Sequence, residues 1–295
     1  MYHCPVNRTP LNKLTSIEGT VYPTIDGVPV LVSDPQRFLA RHVHGMAGLP
    51  TESIDHLPID APDLISPFVH PRKYGAHGPF GTWLDQLGNS PTEVCTQWGH
   101  RYAPPGPVLD VGCGVGVATH QIARQGRQVW AFDRSPQSVL YAKDMLYGDL
   151  TSTPWPTWRG GMTLKSTNLE TIPPDQVQFC VADAAMPPFA PHSFAWVHLG
   201  NIIDITDLGM APIITAISEL VGEDGIMTLS SPYDLDIATT PLSADPQAVL
   251  VDILDELGFD IVAESDHHPW VIRQYDRGFR VLLCHCMVLS RSTSR

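Results

Sequence analysis

The sequence predicts an α/β fold in which a largely parallel sheet carries helices on its faces. Three observations lead there. From about residue 106 onward, apolar strand-like runs alternate with helical patterns, the order that builds βαβ units. The stretch VLDVGCGVGVATHQIARQGRQVWAFD, residues 108–133, reads as a strand, a glycine-rich turn, a helix and a second strand ending on an acid. A chain of 295 residues is long enough to bury a large core, as one main domain with additions or as two modest domains.

In chain order, residues 1–34 read as a small β-unit, YHCPVNRTPL followed by VYPTIDGVPVLVSDP. Residues 35–105, rich in His, Pro and aromatics, read as linker helices and loops forming a lid over the site. Residues 106–295 read as the ligand-binding domain, a Rossmann-like sheet of seven strands expected in PVLDVG, QVWAFD, VQFCVAD, FAWVHLGN, GIMTLSS, FDIVAE and FRVLLCHCMVL. Between the first two strands, Val115, Ala118 and Ile122 follow helical spacing and Gly126 closes the helix. Ser135 then caps a second helix with Pro136 at its first position, and Val139, Ala142 and Leu146 mark the buried face before Gly148. The following insertion, 149–174, is too polar and too broken by Pro and Gly for a core element. Trp155 and Trp158 favour a packed flap there.

Eighteen basic against thirty-one acidic residues leave a net charge of −13, which repels a phosphate backbone and argues against nucleic acid as a partner. A small molecule is the expected substrate. Six cysteines without a C-x-x-C pair suit a reduced, cytoplasmic setting. The start MYHCPVNRTPLNK lacks the apolar core of a signal peptide, and no run approaches a membrane helix. The thirteen histidines show no ligand spacing; His267 and His268 are expected as a loop pair, and no metal site is expected.

The turn itself reads Gly112-x-Gly114-x-Gly116. A dinucleotide fingerprint would need its third glycine at Val117. Asp110, just before the turn, would repel a pyrophosphate, whereas a cofactor with an ammonium and a sulfonium tolerates it. Asp133 ends the second strand twenty-one residues after Gly112, where an acid accepts both ribose hydroxyls of a nucleoside. Asp183 ends the third strand, placed for the exocyclic amine of adenine. Taken together, D-x-G-x-G-x-G and two strand-end acids resemble the class I S-adenosylmethionine-dependent methyltransferases over roughly 106–291. The resemblance implies S-adenosylmethionine as cofactor, held by Asp110, Gly112, Gly114, Asp133, Arg134, Asp183, Ala184 and Asn201.

Two narrower resemblances follow. The first 34 residues are similar to zinc-ribbon-like activator subunits of methyltransferases, with C-P-x-C before a ribbon and Y-P-x-x-D-G-V-P-V-L closing it. Only Cys4 of the expected ligands is present, with Asn7 at the second position, so a degenerate, metal-free unit is expected. The blocks NIID, SSPYD and PWVIRQYDR resemble the ovothiol-type imidazole N-methyltransferase domain, although LDIATTPLSADP stands where that group has a tryptophan-containing segment.

That resemblance implies methyl transfer to a nitrogen, or else a sulfur or oxygen, of a small amino-acid-like metabolite. Its candidate residues are Asn201, Asp204, Ser231, Tyr233, Arg273 and Tyr74: an amide at the sulfonium, an acid for a proton or a cation, polar groups at the strand end, an arginine for a carboxylate, and a lid tyrosine. Asp207 reads as solvated. Two other readings stay open: a cyclase or lyase consuming the cofactor and releasing methylthioadenosine, and a non-catalytic methyltransferase-like partner.

Overall fold

The computed structural model describes residues 2–42, 86–148, 152–158, 161–166, 170–204, 209–235, 245–275 and 278–292. Tyr74, Asp207 and most of the expected lid lie outside them. The elements run β1 (Thr24–Ile25), β2 (Val28–Leu31), α1 (Pro35–His42), α2 (Pro91–Tyr102), β3 (Val108–Val111), α3 (Val117–Ala123), β4 (Val129–Asp133) and α4 (Pro136–Tyr147). Then come β5 (Ser152–Trp158), β6 (Gly161–Ser166), β7 (Val177–Ala182), β8 (Phe194–Gly200), α5 (Met210–Ser218), β9 (Val221–Ser231), α6 (Pro246–Glu256), β10 (Phe259–Tyr275) and β11 (Gly278–Arg291).

The main sheet has the order β1-β2-β7-β4-β3-β8-β9-β11-β10. Its strands are parallel from β2 to β9; β11 lies antiparallel between β9 and β10. The α/β class is as expected, but the sheet has nine strands rather than seven. The two extra strands come from the N-terminal segment, whose apolar V-P-V-L run pairs parallel with β7, Val30 to Val181 and Leu31 to Ala182. β3 at the centre is buried at all four positions, as a strand covered on both faces must be.

Helix ends follow the sequence signals. Ser90 caps α2 in a reciprocal capping box with Glu93. Ser135 caps α4, and Gly148 closes it in the left-handed conformation. One core cluster joins α3 and α4 to one face of the sheet, and a second joins α5, α6, Cys4 and Tyr22 to the other. α2 seats its Gly99 against the ring of Trp196, which is fully buried and donates from Nε1 to Thr228 Oγ1 at 2.8 Å.

Two regions differ from expectation. The 149–174 insertion holds a two-stranded antiparallel ribbon, β5–β6, pairing Ser152 with Ser166 through Trp158 with Gly161. β10, of 17 residues, and β11, of 14, are longer than the six-residue and eleven-residue runs read from the sequence. β9 pairs with β11 only between Ser231↔His285 and Ile226↔Ser290, so the β10–β11 ribbon continues past the carboxyl end of β9. His267 and His268 therefore lie on a strand, not in a loop. A bulge between Ser265 and His268, with His267 at φ 65°, absorbs the local irregularity.

Candidate active site

The strand-to-helix turn after β3 is built from left-handed glycines. Gly112, Gly114 and Gly116 have φ of 67°, 52° and 82°. A Cβ on Gly116 would press on Ala142 of α4 at 2.9 Å, so that glycine serves helix packing. A Cβ on Gly112 would lie 2.4 Å from Ile202 Cγ2, so the first clash of a side chain there is with the protein itself. Among the described residues, Gly114 has nothing within 4 Å of an added Cβ. The turn thus leaves bare backbone at one position, as a close-approaching ligand requires.

Asp110 sits beneath this turn. It is 1% exposed, and Thr119 of α3 donates to its Oδ2 at 2.5 Å. Burial pushes its carboxyl up to about 6 against the pull of Thr119. Asp133, at the end of β4, accepts from Gly114 N at 2.9 Å and from Ser135 N at 2.8 Å. Burial raises its carboxyl too, and the backbone donors oppose the rise. Each oxygen keeps a lone pair for a further donor. Asp183 accepts from Ala185 N at 3.0 Å, and Arg134 Nε stands 3.8 Å from Asp183 Oδ2. Ala184, between Asp183 and Ala185, is half-buried.

A cavity of about 280 Å³ opens beside these two residues, lined also by Val32, Ser33, Asp34, Arg37, Phe38 and Met186. A larger concavity of about 500 Å³ lies among Pro10, Asn12, Lys13, Thr15, Ser16 and Ile17, and no strand-end residue contributes to it. The smaller one is lined by the strand-end residues Arg134 and Asp183. The residues fit S-adenosylmethionine: a bare glycine position, an acid with lone pairs to spare for a diol, and two acids, Asp110 and Asp133, at the turn itself, where a phosphate would be repelled. Phe38 and Met186 were invisible as site residues, because nothing in their spacing ties them to the turn.

At the carboxyl ends of β8 and β9 a second polar group assembles. Asn201 is buried at φ 54°, and Ser230 Oγ donates to its Oδ1 at 2.8 Å. Ser231 Oγ donates to Asp204 Oδ1 at 2.6 Å and accepts from Tyr233 N at 2.9 Å. Asp204 is 7% exposed, and its Oδ2 is buried without a hydrogen-bond partner. Burial pushes this carboxyl up to about 6, assisted by Asp234 and opposed by Ser231. Tyr233, also at φ 54°, places its hydroxyl 2.9 Å from Nδ1 of His285.

Asn201, Asp204, Ser231 and Tyr233 are therefore brought together. Arg273 lies out on the projecting ribbon, its backbone opposite Phe279. His285 was passed over in the sequence for want of ligand spacing. Its opposition to Cys284 and Cys286 follows from strand alternation, but its partners come from other strands.

The raised carboxyl of Asp204 has a stability consequence. The folded chain holds this proton up to about pH 6, whereas the unfolded chain releases it near pH 4. The contribution is complete below about pH 4 and is lost as pH rises through about 6. Asp204→Asn is expected to stabilise the chain at pH 8 by roughly 1 to 3 kcal/mol. Thermal melts at pH 4 and pH 8 check it: an Asp204→Asn chain no more stable than wild type at pH 8 would refute the burial argument.

Among known proteins, residues 109–226 match the family model described as a methyltransferase domain. A curated relative, magnesium-protoporphyrin O-methyltransferase of Rhodobacter capsulatus, is 49% identical over 43 residues, spanning 15% of this chain and 19% of that protein. Among solved structures, the cyclase SpnF has a TM-score of 0.51 at 14% identity, covering 78% of this chain and 94% of that one. A S-adenosylmethionine-dependent methyltransferase from Methanosarcina mazei has 0.48 at 17%, covering 65% and 96%. Magnesium protoporphyrin IX methyltransferase from Synechocystis has 0.46 at 17%, covering 75% and 95%. The matched stretch takes in the glycine turn, Asp133, Asp183, Asn201 and Asp204, and over it the chain is similar to a methyltransferase domain.

Proposed function

We propose that the chain transfers the methyl group of S-adenosylmethionine to a nitrogen of a small amino-acid-like metabolite. The observation that carries this reading is the polar group at the ends of β8 and β9, above all the buried, unpartnered oxygen of Asp204. A buried carboxylate oxygen without a partner costs free energy that a cationic or N–H-bearing ligand would offset.

When bound, the cofactor supplies an electrophilic methyl on a positive sulfur. The chain's own residues do the rest. Asp133 and Asp183 hold the nucleoside, Arg134 flanks it, and Gly112 and Gly114 let the backbone approach. Asn201 and Asp204 orient the acceptor, with Ser230 and Ser231 fixing both side chains, and Arg273 and Tyr74 are proposed to close on the acceptor's carboxylate and ring. In-line displacement at a methyl depends mainly on proximity and exclusion of water, with a base needed only when the nucleophile is protonated. We also retain residues 1–34, 35–105 and 106–295 as the functional division of the chain.

The reading is tested by calorimetric titration with S-adenosylmethionine and its demethylated product, then by transfer of labelled methyl to imidazole and amine amino acids. No binding of either nucleoside would remove the cofactor. Methylthioadenosine formed without an acceptor would replace transfer by cyclisation. Asp133→Ala is expected to weaken cofactor binding by roughly 1 to 3 kcal/mol, the cost of losing hydrogen bonds to a charged acceptor. Equal affinity in that variant would place the nucleoside elsewhere.

A further inference from the structure

The ring of His285 on β11 is 2% exposed and has a hydrogen-bond partner at each nitrogen. Nδ1 lies 2.9 Å from Tyr233 Oη, and Nε2 lies 3.1 Å from Oε2 of Glu264 on β10. Glu264 is half-exposed, its side chain at 53%. The backbone N–H of Tyr233 is in turn held by Ser231 Oγ, which donates to Asp204. Tyr233 thus joins two polar groups: its backbone is tied to Ser231 beside the buried acid after β8, and its hydroxyl begins a path through His285 on β11 to Glu264 and solvent at β10. Asn201 and Tyr233 are both non-glycine residues in the left-handed region. Such conformations persist where the surrounding structure enforces them, commonly at sites of function.

We propose that Glu264, His285 and Tyr233 form a proton relay that takes up the proton released when an acceptor nitrogen is methylated and passes it to solvent. This rests on the reading that the acceptor is a nitrogen beside Tyr233. Glu264 accepts from Nε2–H and fixes the tautomer that leaves Nδ1 free to accept from the phenol, the orienting logic of a base held by a third group. In the step, the nitrogen lone pair forms the N–CH3 bond, and the S–CH3 pair stays on sulfur. The N–H proton moves to Tyr233 Oη as the phenolic proton moves to Nδ1. The positive charge comes to rest on the His285 ring against the Glu264 carboxylate, and the proton is then lost to water there.

The charged groups acting on Tyr233 are Asp204, Asp245, Asp266 and Glu264, while Asp234 is paired with Arg280. Cys284 and Cys286 point to the other face of β11. A phenol amid four carboxylates is held protonated by burial first and by those charges second. It therefore acts by exchanging its proton, not as a standing phenolate.

The test uses the full chain with 15N-labelled histidine. At neutral pH the ring nitrogens of His285 are expected to report the proton on Nε2, with that preference lost in Glu264→Gln. Methyl transfer to L-histidine as probe is measured alongside. His285→Gln, Glu264→Gln and Tyr233→Phe are expected to lower kcat at least tenfold, with KM for S-adenosylmethionine within twofold. His285→Asn, which can keep an acceptor near the phenol but cannot carry the proton, is expected to fall as far as His285→Gln. Glu264 is half-exposed, so its variant keeps the test available if the His285 variants fail to fold. Transfer with the proton on Nδ1, or with unchanged kcat in the variants, overturns the relay alone. No transfer by the wild-type chain, despite cofactor binding, overturns the nitrogen-acceptor reading and the relay with it.

Discussion

Gly99→Ala is expected to destabilise the chain by about 3 kcal/mol, the upper part of the range for overpacking a well-filled core, although the same change in an exposed helix would stabilise it. Glycine inside a helix costs about 1 kcal/mol relative to alanine, so helix propensity alone favours the substitution. The geometry reverses the sign. A Cβ at position 99 would lie 1.9 Å from Cζ2 of Trp196 and 2.1 Å from Cε2. That ring has little freedom to move: it is fully buried, its Nε1 is tied to Thr228, and His100 meets it edge-on at 5.3 Å between centroids. The helix would have to lift off the sheet, opening the seam where Val94 and Cys95 pack with Cys286. A fall in melting temperature on the order of 5 to 10 °C is the readout. A variant melting at or above wild type would mean that α2 does not seat on Trp196.

Gly112→Val is expected to abolish measurable cofactor binding, a loss of more than about 100-fold, roughly 3 kcal/mol or above. Two costs add. A β-branched residue at φ 67° is strained by roughly 1 to 3 kcal/mol, and its Cβ would fall 2.4 Å from Ile202 Cγ2. Both are relieved only by moving the turn, which carries Gly114 N away from Asp133 and disturbs the surface offered to the ligand. Ile202→Ala in the same chain removes the clash but not the backbone strain, so partial recovery of affinity is expected in the double variant. Full recovery would show that conformation at 112 is immaterial; wild-type affinity in Gly112→Val alone would refute the role given to the turn.

Local chemistry made much of this structure legible. Ser135-Pro136 and Gly148 bracketed α4 because capping is written in adjacent residues, and the buried strands β3, β4, β7, β8 and β9 stood out as apolar runs, three of them leading to Asp133, Asp183 or Asn201. Asp133 and Asp183 were visible by their distance from the turn. What stayed hidden depends on partners distant in sequence. Whether V-P-V-L joins the main sheet is decided by β7, and whether HHPWVIRQY is loop or strand is decided by the length of β11 opposite. His285 looked idle because Tyr233 and Glu264 are far from it along the chain. Phe38 and Met186 meet only around a cavity.

The pairing of β2 with β7 also bears on how the chain acquires its shape. The β1–β2 hairpin cannot join the main sheet until Val181 has been made, and closing so long a loop is entropically costly, by about 0.6 kcal/mol for each doubling of its length. The β4–β3–β8 centre, whose strands are nearer in sequence, is expected to form ahead of it, leaving the first strand pair to dock late on a finished edge. During synthesis β2 would leave the ribosome well before β7 and wait for it. In the mature protein the same segment, held by two paired positions on β7, should be the first part of the sheet to open, with amide protons exchanging sooner than those of β3.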